Sequence, residues 1–398
     1  MRSSRLTALL LSLALSAAAV AQHTYPLNND PIVHDGYQHF YNLDYDGALQ
    51  RFDQVLKSHP QDPMAVDYVL MGTIFRDLYR NDLLDTTLYA HEGFLTSKRQ
   101  VAEDPATRAR IEQLTRQAID LSDQRLKINS NDKDAYFTRG YARSMHATFI
   151  GLTDHAFVSG LHQALQARSD NEKVLQLDPD YADAKMIVGI HQFAVASLPG
   201  YLRIPAGVFG VSGNREKGLQ YLHQSADHGT ITSVESRTTI SLFLRHDARY
   251  QEALTVQHAL ARDYPHDFLF RLEEANITKD MGQGPQAIAI YKQVIADGQK
   301  KAYFAEPRLQ LAWFGLAETE RGQNDLQHAA DAYLAAAAQP TCSEWLRRRS
   351  QLNAGEVFDL LHQRDAAIKQ YNLASAGGGD QTQAEAARRY AQHPYSGK

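Results

Sequence analysis

The sequence predicts an all-α protein built as an array of about eight short helical hairpins. The main observation is a spacing: Gly36 is followed twelve residues later by Ala48, four later by Phe52 and eight later by Pro60. The composition agrees with a folded chain, because 22% of the 398 residues are charged and 43% are apolar. The net charge of −5 does not indicate binding to nucleic acid or to an anionic membrane.

This spacing has a direct physical interpretation. A small residue on each of two antiparallel helices lets their backbones approach closely. An aromatic residue four positions after the alanine lies one turn along the same face and fills the space behind it. Asp44-Tyr45-Asp46 starts the second helix and Pro60 stops it.

The same spacing recurs along the chain. Later copies are Ser241, Ala253 and Pro265; Ala275, Ala287 and Tyr291; Gly315, Ala329 and Tyr333, with two extra residues in the turn; and Gly355, Ala367 and Tyr371. Asp178-Pro179 marks the end of one further copy. A period of about 34 residues is typical of helical-hairpin arrays.

On these residues the chain resembles the tetratricopeptide repeat (TPR) proteins of the secreted bacterial type. The resemblance implies a right-handed superhelix over residues 22–376. It also implies a concave groove lined by the first helix of each hairpin. The segment from Ala182 to Leu244, rich in Pro and then Gly, is similar to TPR proteins of the inclusion-body-clearance type, which implies an interaction role.

Three copies are stretched. Gly72 is expected to pair with Ala118, Gly140 with Ala167, and Gly189 with Gly218 or Leu219. The Gly140 copy contains no Pro and predicts longer helices, and a long helix is expected from about residue 105 to 127. The stretch 199–213 is dense in Pro and Gly and predicts a break in the array.

Both ends of the chain have their own signals. Residues 1–21 carry Arg2 and Arg5, an apolar run and Ala19-Val20-Ala21, which predicts a secretory signal peptide cleaved after Ala21. We expect a secreted or periplasmic protein without lipid anchor or membrane span. Residues 377–398 predict a flexible break and a capping helix over 384–392, begun by a capping box of Thr382 and Glu385.

The sequence contains few features of a catalytic or metal site. The 17 histidines form no HExxH motif, and no metal or cofactor is predicted. Cys342, the only cysteine, is expected to be a small packed residue, and Glu273 and Glu274 are expected to be solvated. An anion at the start of the helix after 213, held by Asn214, Arg215 and Lys217, is a minor alternative to simple capping.

The remaining candidate is the groove. The concave positions of the early copies are mostly aromatic or apolar, which favours docking of a peptide or helix. These candidate binding residues are Tyr37, Phe40, Tyr41, Phe137, Tyr141, Met186, Ile190 and Phe193. The alternative is that Tyr37, Phe40 and Tyr141 pack against the inserted helices.

The predicted function is therefore a non-enzymatic scaffold that binds a protein or peptide in its concave groove. A different class stays open, which is a small-ligand receptor or enzyme that uses residues 199–217 and the nearby histidines. The identity of the partner and the oligomeric state are left open.

Overall fold

The computed structural model describes residues 23–88, 101–102, 104–197, 212–376 and 380–397, with the backbone alone at 157 and 158. Within these ranges the chain forms seventeen α-helices and two short 3-10 turns, and no strand. The predicted signal peptide, the Gly-rich stretch up to residue 211 and the glycines 377–379 lie outside the described residues.

The helices are α1 (Pro31–Phe40), α2 (Tyr45–Ser58), α3 (Pro63–Arg80), α4 (Pro105–Ile128), α5 (Lys133–Thr153), α6 (Phe157–Leu177), α7 (Ala182–Ser197), α8 (Arg215–His228), α9 (Ser233–His246), α10 (Tyr250–Asp263), α11 (Phe268–Asp280), α12 (Gly284–Gly298), α13 (Leu309–Gly322), α14 (Leu326–Ala338), α15 (Glu344–Leu360), α16 (Arg364–Ser375) and α17 (Gln381–Gln392).

Consecutive helices pair into eight hairpins, from α1 with α2 to α15 with α16. The last helix, α17, packs on both α15 and α16 and covers the end of the array. The predicted fold class is therefore confirmed, with eight hairpins and a terminal helix. The predicted long helices also form, because α4, α5 and α6 run for 24, 21 and 21 residues.

The small residues lie where the hairpins are tightest. A Cβ added to Gly36 would lie 2.5 Å from the Phe52 ring of the same hairpin, and one added to Gly355 would lie 2.5 Å from Tyr371. The stretched Gly189 copy behaves alike, because a Cβ there would lie 2.9 Å from the Gly218 carbonyl oxygen. Helix approach at these places requires a residue without a side chain.

Two glycines contact a different helix from the one predicted for them, which was the second helix of their own hairpin. The nearest neighbour of an added Cβ at Gly72 is Leu49 of α2, and at Gly315 it is Tyr291 of α12. Both neighbours belong to the preceding hairpin. Small residues therefore also bring neighbouring hairpins together, which the spacing within one copy does not reveal.

Helix ends follow the local signals with one exception. Helices α2, α6 and α10 end within two residues of Pro60, Pro179 and Pro265. The predicted capping box of Thr382 is wrong, because α17 begins at Gln381 and its cap is Asp380. The Asp380 carboxylate accepts from the backbone N–H groups of Thr382 and Gln383.

The array closes on itself, because its first hairpins contact its later ones. At the end of α3, Tyr79 donates to the Glu306 carbonyl at 2.6 Å, and the Trp345 indole N–H donates to the Asn81 carbonyl at 3.0 Å. At the end of α1, the Tyr41 hydroxyl contacts the Ile231 carbonyl oxygen at 3.1 Å. Part of the inner surface of the array is therefore occupied by its own N-terminal hairpins.

One buried ion pair organises the contact between α3 and the last hairpins, which we call the closing junction. The Arg308 guanidinium lies 2.8 Å from Asp82, and both side chains are almost fully buried. The Asp82 carboxylate also accepts from the Gln310 side chain at 2.8 Å and from the Ser343 backbone N–H at 2.9 Å. Asp82 has a left-handed backbone with φ of 59°, which places it at the turn that follows α3.

Candidate functional site

The aromatic residues predicted for the early groove are buried. Tyr37 and Phe40 of α1, and Tyr41 directly after it, are each less than 9% exposed. Tyr37 stacks on Tyr41 and meets the rings of Phe52 and Tyr68 edge-on or nearly so. A partner cannot reach the face of Tyr37 in this conformation.

The same holds for three other predicted groove residues. The hydroxyls of Tyr37 and Tyr141 both approach the Met71 sulfur in α3, at 3.7 and 3.1 Å. Phe137 packs on Tyr181 with ring centroids 5.0 Å apart, and Phe193 stacks on Phe243 at 3.9 Å. These side chains therefore pack inside the array, but the Met71 contact of Tyr37 and Tyr141 is made with α3 and not with an inserted helix, as the alternative had it.

Two predicted residues take part in an open apolar groove between α5, α6 and α7, which we call the α5–α7 groove. Met186 and Ile190 line it together with Met145 and Leu161, and its volume is about 450 Å³. The concave positions of two successive copies converge here, because Ser144, Met145, Met186, Ile190 and Ala194 all border it. Leu161 is 51% exposed, which is unusual for a large apolar side chain.

The α5–α7 groove carries little charge. Among the described residues that line it, His191 alone titrates, and burial together with the neighbouring Arg168 lowers the pKa of this imidazole to about 4. The Arg168 guanidinium lies 2.8 Å from His191 Nε2. His191 is therefore neutral at pH 7, and the groove offers an apolar and uncharged surface.

A second space, which we call the central cavity, lies where the first hairpins meet α9, α10 and α11. Its volume is about 220 Å³. The predicted groove residues Phe40 and Tyr41 form part of its wall, and so do the concave positions Thr238, Leu272 and Asn276 of later copies. The predicted concave positions of this part of the array thus border a partly open space that other hairpins of the same chain also line.

The carboxyl groups that line the central cavity were not predicted from the sequence. Glu235, Asp267, Glu273 and Asp85 line it. A signal was available for Glu235, since it lies three residues before the concave position Thr238 and hence on the same helix face. Glu273 and Glu274 are buried, at 6% exposure each, so the expectation that they are solvated is wrong.

Local partners explain why the buried glutamates are tolerated. Glu273 pairs with the buried Arg245 at 3.1 Å, and Arg245 also bonds Asp280 at 2.7 Å. Glu274 pairs with Arg271 and approaches His258 at 3.6 Å. Such pairs offset the cost of removing charges from water, which adjacency in the sequence does not reveal.

The residues of the predicted anion site are engaged with the protein itself. The Asn214 side chain accepts from the Lys217 backbone N–H at 2.9 Å and so caps α8. The Arg215 guanidinium bonds Asp247 at 3.0 Å and lies over the Phe193 ring. An anion at this helix start stays a prediction, and it would compete with the Asn214 cap.

Other reactive groups lie in structural positions. Cys342 is buried, and burial raises the pKa of its thiol to about 12, so it packs as a small residue. No group of three or more His, Cys, Asp or Glu with metal-ligating geometry occurs among the described residues. None of the described helices combines the length and hydropathy that crossing a bilayer requires.

Comparison with known proteins gives structural likeness alone. No protein-family model matches the chain, and no curated protein matches it. Among solved structures, yeast Tom70 is 10% identical with a TM-score of 0.42, covering 91% of this chain and 94% of that one. A TPR protein from Parabacteroides merdae is 14% identical with a TM-score of 0.35, covering 80% and 97%. The human IFIT1 dimer with m7Gppp-AAAA is 12% identical with a TM-score of 0.47, covering 91% and 82%. All three TM-scores lie below 0.5, so no functional conclusion is taken from these proteins.

Proposed function

We propose that the protein is a non-enzymatic scaffold that binds the apolar face of a helical peptide or protein segment in the α5–α7 groove. The observation that carries the proposal is the convergence of concave positions from two successive hairpins on one open apolar surface. Met145, Met186 and Ile190 supply its flexible and branched side chains. Methionine-containing surfaces adapt to different apolar partners.

The volume and the chemistry of the groove both favour such an occupant. A space of about 450 Å³ is within the range of pockets that bury several side chains. Because His191 is neutral at pH 7 and none of the other described lining residues titrates, these residues offer a charged ligand no counter-charge. An amphipathic helix laid between two helices would bury its apolar residues and leave its polar face in water.

The predicted groove residues divide into two roles under this proposal. Ile190 contacts the partner, and Met186, which is 4% exposed, forms part of the groove floor beneath it. Tyr37, Phe40, Tyr41, Phe137, Tyr141 and Phe193 hold the hairpins in place. The alternative of an enzyme or receptor on residues 199–217 has less support, because Arg215, one of its two described basic residues, is already paired with Asp247.

Peptide binding can be tested with a matched pair of variants. Peptides of twelve residues would be selected on the wild-type chain from a display library, and their Kd measured by fluorescence anisotropy. Leu161→Glu should weaken binding at least about tenfold, or about 1.4 kcal/mol, because it places a charge on the apolar wall. Leu373→Glu is the control, since Leu373 is 43% exposed and lies on α16, away from the groove. Failure to select any peptide, or equal Kd values for the two variants, would refute the proposal.

We also propose a secreted or periplasmic location for this scaffold. Support comes from the residues just after the expected cleavage position: His23 contacts Asp178 at 2.7 Å, and Thr24 donates to Asp183 at 2.7 Å. The first residues of a chain cut after Ala21 would thus belong to the fold. Amino-terminal sequencing of protein recovered outside the cytoplasm should begin at Gln22, and recovery of the chain with Met1 in the cytoplasm would contradict the proposal.

A further inference from the structure

We propose that the central cavity binds a small organic cation, of the alkylammonium class, between its aromatic wall and the Glu235 carboxylate. This site is separate from the α5–α7 groove, and the proposal does not depend on peptide binding there.

The cavity has the size and the walls of a small-ligand site. Its volume of about 220 Å³ has room for roughly seven water-sized groups at about 30 Å³ each. Aromatic rings form much of the lining, contributed by Phe40, Tyr41, Tyr45, Phe75 and Phe270. Aromatic faces attract cations and also bury the alkyl part of an amine.

The Glu235 carboxylate in the wall is incompletely hydrogen-bonded by the other described residues. Glu235 Oε2 accepts a hydrogen bond from the Tyr41 hydroxyl at 2.6 Å. Glu235 Oε1 is buried and receives no hydrogen bond from another described residue, although the backbone N–H of Glu235 itself interacts with the carboxylate. Such a carboxylate is costly to ionise, and an ammonium ion in the adjacent cavity would stabilise its ionised form.

The lining is also unbalanced in charge. Among the described residues that line the cavity, four are carboxylic acids and none is basic. The nearby Arg245 is shared by Glu273 and Asp280, so it does not neutralise the remaining acids. Asp85 and Asp267 receive backbone N–H bonds, from Thr87 and Phe270, both at 2.9 Å. A monovalent cation would reduce the excess of negative charge.

The protonation of the cavity supports this assignment. Burial raises the pKa of Glu235 to about 7 and that of Asp267 to about 7. A cation favours the ionised carboxylate, so binding at pH 7 should release protons and strengthen as the pH rises from 6 to 8. The groups that interact with Glu235 are Tyr37 of α1, Tyr41 directly after α1, Tyr141 of α5, Asp183 of α7, Arg237 of α9 and Tyr264 before α11.

Calorimetry with simple amines tests the proposal. Titrations of the full-length mature chain with n-butylammonium and 1,5-diaminopentane at pH 7 would be run in two buffers of different ionisation enthalpy. The neutral n-butanol is the isosteric comparison. We expect at least one amine to bind with proton release, and n-butanol to bind at least tenfold more weakly.

Variants test whether the charge of Glu235 is what holds the amine. Glu235→Gln keeps the size and the acceptor for Tyr41 but removes the charge, so it should weaken amine binding at least tenfold. Glu252→Gln, on an exposed glutamate of α10, should leave amine binding unchanged, and so should Leu161→Glu in the α5–α7 groove. Thermal melts and circular dichroism would confirm that each variant is folded. Equal binding of n-butanol, unchanged binding in Glu235→Gln, or no binding of either amine at millimolar concentration would overturn the proposal and leave a cavity that holds water.

Discussion

The closing junction offers the sharpest test of the tertiary structure, through the variant Asp82→Asn. Asn is the conservative choice because it tolerates the left-handed backbone that Asp82 adopts, with φ of 59°. The substitution keeps the shape of the side chain but removes its charge. In the wild type the Asp82 carboxylate accepts from Arg308, Gln310 and Ser343. The Asn NH₂ group is itself a donor, so it would face other donors at this position.

The expected loss of stability follows from burial. The side chains of Arg308 and Asp82 are 3% and 0% exposed, so the variant leaves a buried guanidinium without its counter-charge. Breaking such a pair from one side costs about 3–5 kcal/mol. With an m-value of about 3 kcal/mol/M in urea, the midpoint should fall by roughly 1–2 M.

A matched control is Glu252→Gln. Glu252 pairs with Arg249, but the two side chains are 58% and 46% exposed, so this change should leave the urea midpoint close to that of the wild type. Because arrays of repeats can unfold in parts, two probes are needed. Circular dichroism reports on all helices, and fluorescence includes Trp345, whose indole donates to the Asn81 carbonyl in the closing junction. If Asp82→Asn shifts neither probe more than Glu252→Gln does, the first hairpins are not held to the last ones in the way described.

The remaining predictions concern packing and pH. Gly36→Ala should destabilise the chain by about 1–3 kcal/mol in urea unfolding, because the new methyl would lie 2.5 Å from the Phe52 ring; Gly151→Ala, in α5 with nothing within 4 Å, should be neutral or stabilising by up to about 1 kcal/mol. A loss in both variants would mean that helix backbone effects, and not the hairpin contact, cause the destabilisation at Gly36. Burial raises the pKa of Glu235 from 4.5 to about 7, so the folded state binds the proton more tightly than the unfolded state does. The resulting destabilisation is complete above pH 7 and is relieved as the pH falls toward 4.5, with an upper limit of roughly 3 kcal/mol at about 1.36 kcal/mol per pKa unit. Glu235→Gln should therefore be more stable than the wild type at pH 8 and lose that advantage near pH 4.5, measured by urea unfolding at both pH values; a constant difference between the two proteins would contradict this origin.

Much of the fold could be predicted because it depends on contacts that are local in the chain. The hairpin of α1 and α2 joins Gly36 to Phe52, only sixteen residues apart, and helical periodicity places both on facing sides. The same local signals marked α4 and the helix ends before Pro60, Pro179 and Pro265. The cap of α17 was misplaced because Asp380 and Thr382 are both good N-cap residues, and the helix began at the earlier one.

The candidate site could be predicted only in part. Concave positions were identified from their place in each copy, and those of α5 and α7 do meet in one groove. Whether a concave position faces solvent depends on what lies opposite it across the array. Tyr41 meets Ile231 and Glu235, about 190 residues later, and no periodicity within a copy indicates such a contact.

Local spacing of small residues, aromatics and prolines thus determined that this chain forms paired helices, because each pair is closed by residues near each other in sequence. The tertiary structure decided which parts of the inner surface stay open. The array curves until Asp82 reaches Arg308 and Tyr41 reaches α9, and this closure buries the early aromatics and brings the carboxylates together around the central cavity. Closure depends on the summed small rotations between all the hairpins, a quantity that no single stretch of sequence carries.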